Sequence, residues 1–249
     1  MSDRPTCLHA GREYRLGCLP RTLTAVGDGT FRVFGDGTPP RIPRDDWPDH
    51  AKTMEGFINV IIDQGNQGSC CGCAGVGATM LARAISGQLN VVLSQASLYA
   101  LGNGGRDDGM AIDTCLRHLI NTGANPADTI DPMDWSGYYR NKWPSNWRES
   151  AKRFRCIEAW DCSDYDTAVS AVLHGFPVVY GCSGHAVVMV GWTPKRGHID
   201  LNSWGSDWGN NGIGQWQSES TVRRQLPGYG AWALRVATDP TDDGDVKGA

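Results

Sequence analysis

Cys70 follows Gly65, Gly68 and Ser69 and opens a run of small and apolar residues without proline, so it stands at the first turn of an expected helix. Backbone N–H groups at a helix start are unpaired, and the peptide dipoles there favour an anion. A thiol so placed is partly thiolate near neutral pH, provided a cationic partner lies close. Taken alone, Cys70 still reads better as a buried structural cysteine. Downstream, Gly184-His185-Ala186 puts a histidine at the start of an expected strand, and Asn202 follows it by 17 residues. A nucleophilic thiol needs a base that forms an ion pair with it, and the base needs an orienting group on its other ring nitrogen. Cys70, His185 and Asn202 supply the three. Gln64, six residues before Cys70, can join the Cys70 backbone N–H in stabilising a tetrahedral oxyanion.

These residues need elements to carry them. Residues 70–87 read as a buried helix closed by Gly87, and their Gly and Ala content implies close packing against another element. Met110 to Asn121 repeats apolar residues at helical spacing before Thr122-Gly123. A third helix is capped by Ser163 or Asp164 and runs through His174, before Gly175 and Pro177. The pattern then turns to strands at 177–181, 186–192, 199–202 and 231–236. Helices first and an antiparallel sheet afterwards imply an α+β fold in segregated halves. Residues 1–40 carry an echo, Gly27-Asp28-Gly29-Thr30 and Gly35-Asp36-Gly37-Thr38, around Phe31 to Phe34, read as a short strand between two turns. The acidic tail 238–249 has too few apolar residues to bury as a core would require.

Composition narrows the function classes. With 249 residues the chain is long enough for one domain or two packed lobes. A net charge of −4 with no basic stripe makes nucleic acid a poor partner. No apolar stretch approaches the roughly 20 residues of a membrane span, and the N-terminus lacks a signal-peptide core, so a cytoplasmic or virion-associated place is expected. Nine cysteines, three within residues 70–73, cannot all pair, which argues against a disulfide framework. The spacing does not suit a zinc site either, and no metal or cofactor is expected.

The motifs together resemble the papain family of cysteine peptidases, of a stand-alone bacterial or viral type. Gln64 leads to Gly68-Ser69-Cys70, His185 opens a His-Ala-Val run ending in Gly191-Trp192, and Asn202 to Gly212 reads NSWGxxWGxxG. Ile42-Pro43-Arg44-Asp45-Asp46-Trp47 looks like the family's mature start, one residue short, which places the domain at 41–237 and makes 1–40 an addition. The resemblance implies a two-lobed α+β fold, with the nucleophile helix in a helical lobe and a sheet or barrel lobe after it. It implies Cys70 as nucleophile, His185 as base, Asn202 as orienting residue and Gln64 in the oxyanion hole. Asn103-Gly104-Gly105 lies where the family's substrate-pairing Gly-Gly strand would be, though an ordinary turn reads as well. Ala186 would line the side-chain pocket, and Trp204 would shield the His185 to Asn202 bond or be a plain core residue.

The departures matter too. Gln67 and Gly102 stand where the family has a disulfide, and Cys71 stands where it has a tryptophan. Cys71 is expected to point away from Cys70, with Cys73 and Cys182 as structural thiols or, for the first two, redox partners. Residues 1–40 do not read as a helical propeptide; they lie in the cleft, wrap the domain or dock a partner. The expected function is peptide hydrolysis through a thioester. The rivals are a papain-fold assembly protein, docked through the arm or the tail, and a cell-wall amidase.

Overall fold

The computed structural model describes residues 5–22, 32–33, 40–162 and 164–237. The expected turns around Phe31 and Phe34, the cap at Ser163 and the tail from Thr238 lie outside the described residues. A hairpin comes first. Strands β1 (Thr6–His9) and β2 (Arg12–Arg15) pair antiparallel around Ala10 and Gly11, both with positive φ, the turn whose twist suits a two-residue loop. Strands β3 (Cys18–Leu19), β4 (Arg32–Val33) and β5 (Lys52–Thr53) follow. Between the last two, the Trp47 indole donates to the Ile42 carbonyl at 3.1 Å and meets Trp192 edge-on, anchoring the expected start of the domain.

Helix α1 (Cys70–Ile85) is buried from Cys70 through Arg83 and ends at Ser86 before Gly87. Its small residues let other helices approach. A Cβ on Gly72 would stand 2.8 Å from the Gln95 carbonyl oxygen, and one on Gly75 2.9 Å from Cys115 Sγ. Helices α2 (Gln95–Gly102) and α3 (Ile112–Asn121) can lie against α1 only because those side chains are missing. Helix α3 begins two residues later than its periodicity implies, because Met110 and Ala111 form β6 (Met110–Ala111), paired with β3. Helix α4 (Trp147–Lys152) completes this half.

The other half is built on strands β7 (Cys156–Asp161), β8 (Val178–Cys182), β9 (His185–Thr193), β10 (Gly197–Leu201), β11 (Ile213–Gly214) and β12 (Ala231–Ala237). Helices α5 (Tyr165–Leu173) and α6 (Glu219–Tyr229) accompany them. Asp164 and Ser218 cap the two helices, accepting from the backbone N–H of Thr167 and Thr221. The sheet order is β11-β10-β9-β8-β12-β7-β4, with β5 on β9; every pairing is antiparallel except β4 on β7. The result is the expected α+β arrangement, with α1 packed between the helices and the face of β9. No described helix is long and apolar enough to cross a membrane.

Candidate active site

The first turn of α1 faces the corner between β8 and β9. Ser183 and Gly184 turn that corner with φ of +53° and +76°, so His185 emerges at the head of β9. His185 Nε2–H donates to Asn202 Oδ1 at 2.6 Å. The Ser203 N–H donates to the same oxygen at 2.7 Å, so the carbonyl end of the amide faces the imidazole and Nε2 carries the proton. Nδ1 is buried without a hydrogen-bond partner among the described residues, and the Cys70 thiol feels the His185 ring through hydrogen bonding and charge.

The thiols themselves separate Cys70 from the rest. Burial alone would push Cys70 up, but hydrogen bonds from Cys71 and His185, the charge of His185 and the Ala186 N–H hold it well below the ordinary thiol value. Each of the other eight thiols is pushed up instead, by burial first. All nine cysteines are free.

Gln64 is held from behind. Its Oε1 accepts from Ser203 Oγ–H at 2.7 Å and its backbone N–H donates to the Ser203 carbonyl at 2.9 Å. That grip turns the amide Nε2 towards the cleft, beside the unpaired N–H groups that begin α1. An aromatic wall shields the histidine: Trp204 lies 4.8 Å from the His185 ring and Trp216 5.2 Å, edge-on. Trp216 is fixed in turn by its N–H on the buried Asp200 carboxylate and its indole on the Cys182 carbonyl.

No protein-family model matches the chain, and no curated protein matches it. Solved structures do. Xylellain, a cysteine protease from Xylella fastidiosa, superposes with a TM-score of 0.70 at 17% identity, over 93% of this chain and 99% of that one. Digestive procathepsin L 3 of Tenebrio molitor gives 0.64 at 16% identity, over 84% and 75%. The Carica candamarcensis cysteine protease CMS1MS2, in complex with E-64, gives 0.56 at 16% identity, over 80% and 99%. The chain has the papain-like fold.

On this papain-like frame, Cys70, His185, Asn202 and Gln64 come together at one point, with Ala186 and Trp204 beside them. Ala186 is buried; it gives its N–H to Cys70 and lines a small cavity with Ile62, Cys73 and Ala74. Gly104 and Gly105 stand elsewhere. Both have positive φ, which bends the chain into a turn after α2, and a Cβ on Gly105 would touch the Tyr139 ring. Extended backbone returns at Met110–Ala111, which pairs with Cys18–Leu19. Cys71 also differs from expectation. Its thiol interacts with both Cys70 and Cys18 and lies 3.0 Å from the Met110 carbonyl. Side chains tilt towards a helix N-terminus, so the first residues of α1 converge over its end instead of parting.

What meets Met110 is the chain itself. The Met110 N–H donates to the Gly17 carbonyl at 2.9 Å, and the Cys18 N–H donates to the Gly184 carbonyl at 2.8 Å. The Arg15 carbonyl accepts from Gln64 Nε2 at 3.1 Å. Tyr14 stacks on Trp204 at 5.0 Å. Residues 14–18 thus cross the site between the two halves, running parallel to β6, and Cys70 has 0% exposure. Gly17 fits only as glycine, since a Cβ there would overlap the Gly68 carbonyl. No sequence signal marked this passage except the absence of a helical propeptide pattern. Ser203 lies in the motif that Asn202 opens but was given no role, and Trp216 was unmarked, because their roles come from contacts between distant segments.

Proposed function

We propose that the chain is a thiol peptidase held latent by its own residues 14–18. The observation that carries this reading is the single lowered thiol among nine, seated on a histidine whose other nitrogen is committed to Asn202. Once a substrate replaces the crossing segment, the Cys70 thiolate attacks a peptide carbonyl. Gln64 Nε2 and the Cys70 N–H receive the developing negative charge. Protonated His185 gives its Nδ1 proton to the leaving amine, the thioester forms, and water deprotonated by His185 hydrolyses it. Asn202 keeps the ring in place through both steps, and Trp204 and Trp216 keep water from that hydrogen bond.

The test is hydrolysis of fluorogenic peptides by the full chain. Gly17→Ala should raise the rate about 10- to 100-fold over the unsubstituted chain. The overlap with Gly68 costs the seated state about 1–3 kcal/mol, and each 1.4 kcal/mol is about tenfold. Cys70→Ala in that background should abolish turnover. Equal rates with and without Cys70, or no turnover from any released variant, would favour the rival reading of a papain-fold assembly protein.

A further inference from the structure

The segment in the cleft is a bound peptide, and its side chains report what the walls accept. Arg15 is the residue whose carbonyl stands at Gln64 Nε2, and its Nη1 lies 2.7 Å from Asp107 Oδ2. Asp107 is built into the nucleophile's own loop. Its Oδ1 accepts from the Gly68 N–H at 3.0 Å and from Tyr99 O–H at 2.5 Å, and Tyr99 in turn accepts from the Gly109 N–H at 3.1 Å. The residue holds this place with φ of +50°, a conformation that few side chains tolerate. Its side chain is 17% exposed with Arg15 seated. The neighbouring charges, Arg106 and Asp108, pair with each other at 3.4 Å on the surface.

When residues 14–18 leave, Oδ1 keeps its two donors and Oδ2 loses its counter-ion. A fixed, half-buried carboxylate then faces the space beside the oxyanion position. We propose that Asp107 determines specificity, selecting peptides with an arginine, or less well a lysine, as the residue that supplies the attacked carbonyl. A substrate that runs through the cleft in the direction of residues 14–18 and sets its attacked carbonyl at Gln64 Nε2 starts its side chain near where the Arg15 side chain starts. A guanidinium there has the reach of Arg15 and brings paired N–H donors to a carboxylate; a lysine is shorter and offers a single point charge. An uncharged side chain leaves Oδ2 desolvated and without a cation. The inference rests on the reading of Cys70 as the attacking thiol.

The experiment uses the full chain carrying Gly17→Ala and peptide vinyl sulfones that differ only in that residue: arginine, glutamine or leucine. The rate of Cys70 modification is followed by mass spectrometry. The arginine probe should react about 10- to 100-fold faster than the glutamine probe. Asp107→Asn, which keeps an oxygen for Gly68 and Tyr99, should bring the ratio of the two rates close to one. Equal rates for arginine and glutamine in the Gly17→Ala chain would overturn the inference even if Asp107→Asn fails to fold. A ratio that survives Asp107→Asn would overturn it as well. Modification of Cys70 by none of the probes would instead overturn the peptidase reading, and this one with it.

Discussion

Replacing His185 with Ala lowers kcat for peptide hydrolysis by about 10⁴-fold or more in the Gly17→Ala chain. Removing one member of a nucleophile, base and orienting set costs about that much, because the three act as a unit. Here the loss has two parts. The imidazole's hydrogen bond and positive charge oppose burial at Cys70; without them, burial pushes the thiol up. No other described group is placed to protonate the leaving amine. The pH profile should change accordingly. In the intact site the depressed thiol pKa keeps Cys70 ionised to lower pH than an ordinary thiol, and on the acid side activity falls as pH drops through that lowered value. In His185→Ala the residual rate should climb with pH towards and beyond the ordinary thiol range of about 8.5. A loss smaller than about tenfold, with an unchanged profile, would rule out His185 as the base.

Replacing Gln64 with Ala should lower kcat by about 10²- to 10³-fold, with a much smaller change in KM, since an oxyanion donor acts mainly on the transition state. The background must again be Gly17→Ala, because Gln64 also holds the Arg15 carbonyl and its loss loosens the segment that blocks the site. Gln64→Glu should be no better. The Ser203 hydroxyl already donates to Oε1, so a carboxylate would present its second oxygen, not an N–H, to the developing charge. Steady-state kinetics on a peptide of known cleavage site separates kcat from KM; an equal loss in binding alone would contradict the role.

The four central residues were legible because each sits in a short run whose local geometry does part of the work. Cys70 opens a helix, His185 opens a strand after a turn, Asn202 follows a strand, and Gln64 lies six residues ahead of the thiol. Strands β8, β9, β10 and β12 were legible for the same reason, being short apolar runs between turn residues, while the two-residue β11 was not. Helix α6 was not, since it contains Pro227 and buries only Val222 and Leu226, too few apolar positions to show a period. The pairing strand was sought at Gly104–Gly105 because glycine suits close approach, but any residue can offer its backbone, and Met110 does. Cys71 was misjudged by treating the first helical turn like a helix middle. The passage of residues 14–18 through the site depends on a fit between segments far apart in sequence, and a local pattern carries no trace of such a fit.

One thiol of nine, Cys70, is proposed to be activated by His185 and covered by the chain's own backbone. The most direct test is the rate of alkylation of every cysteine by iodoacetamide in the folded full chain, read by peptide mass spectrometry from about pH 6 to pH 9. In the Gly17→Ala chain Cys70 should react first and with a weaker rise with pH than any other thiol, since its pKa is the one that is lowered. It should be protected in the unsubstituted chain and should regain an ordinary thiol's pH dependence when His185→Ala is added. Cys70 reacting no faster than the other eight thiols in the Gly17→Ala chain would contradict the claim.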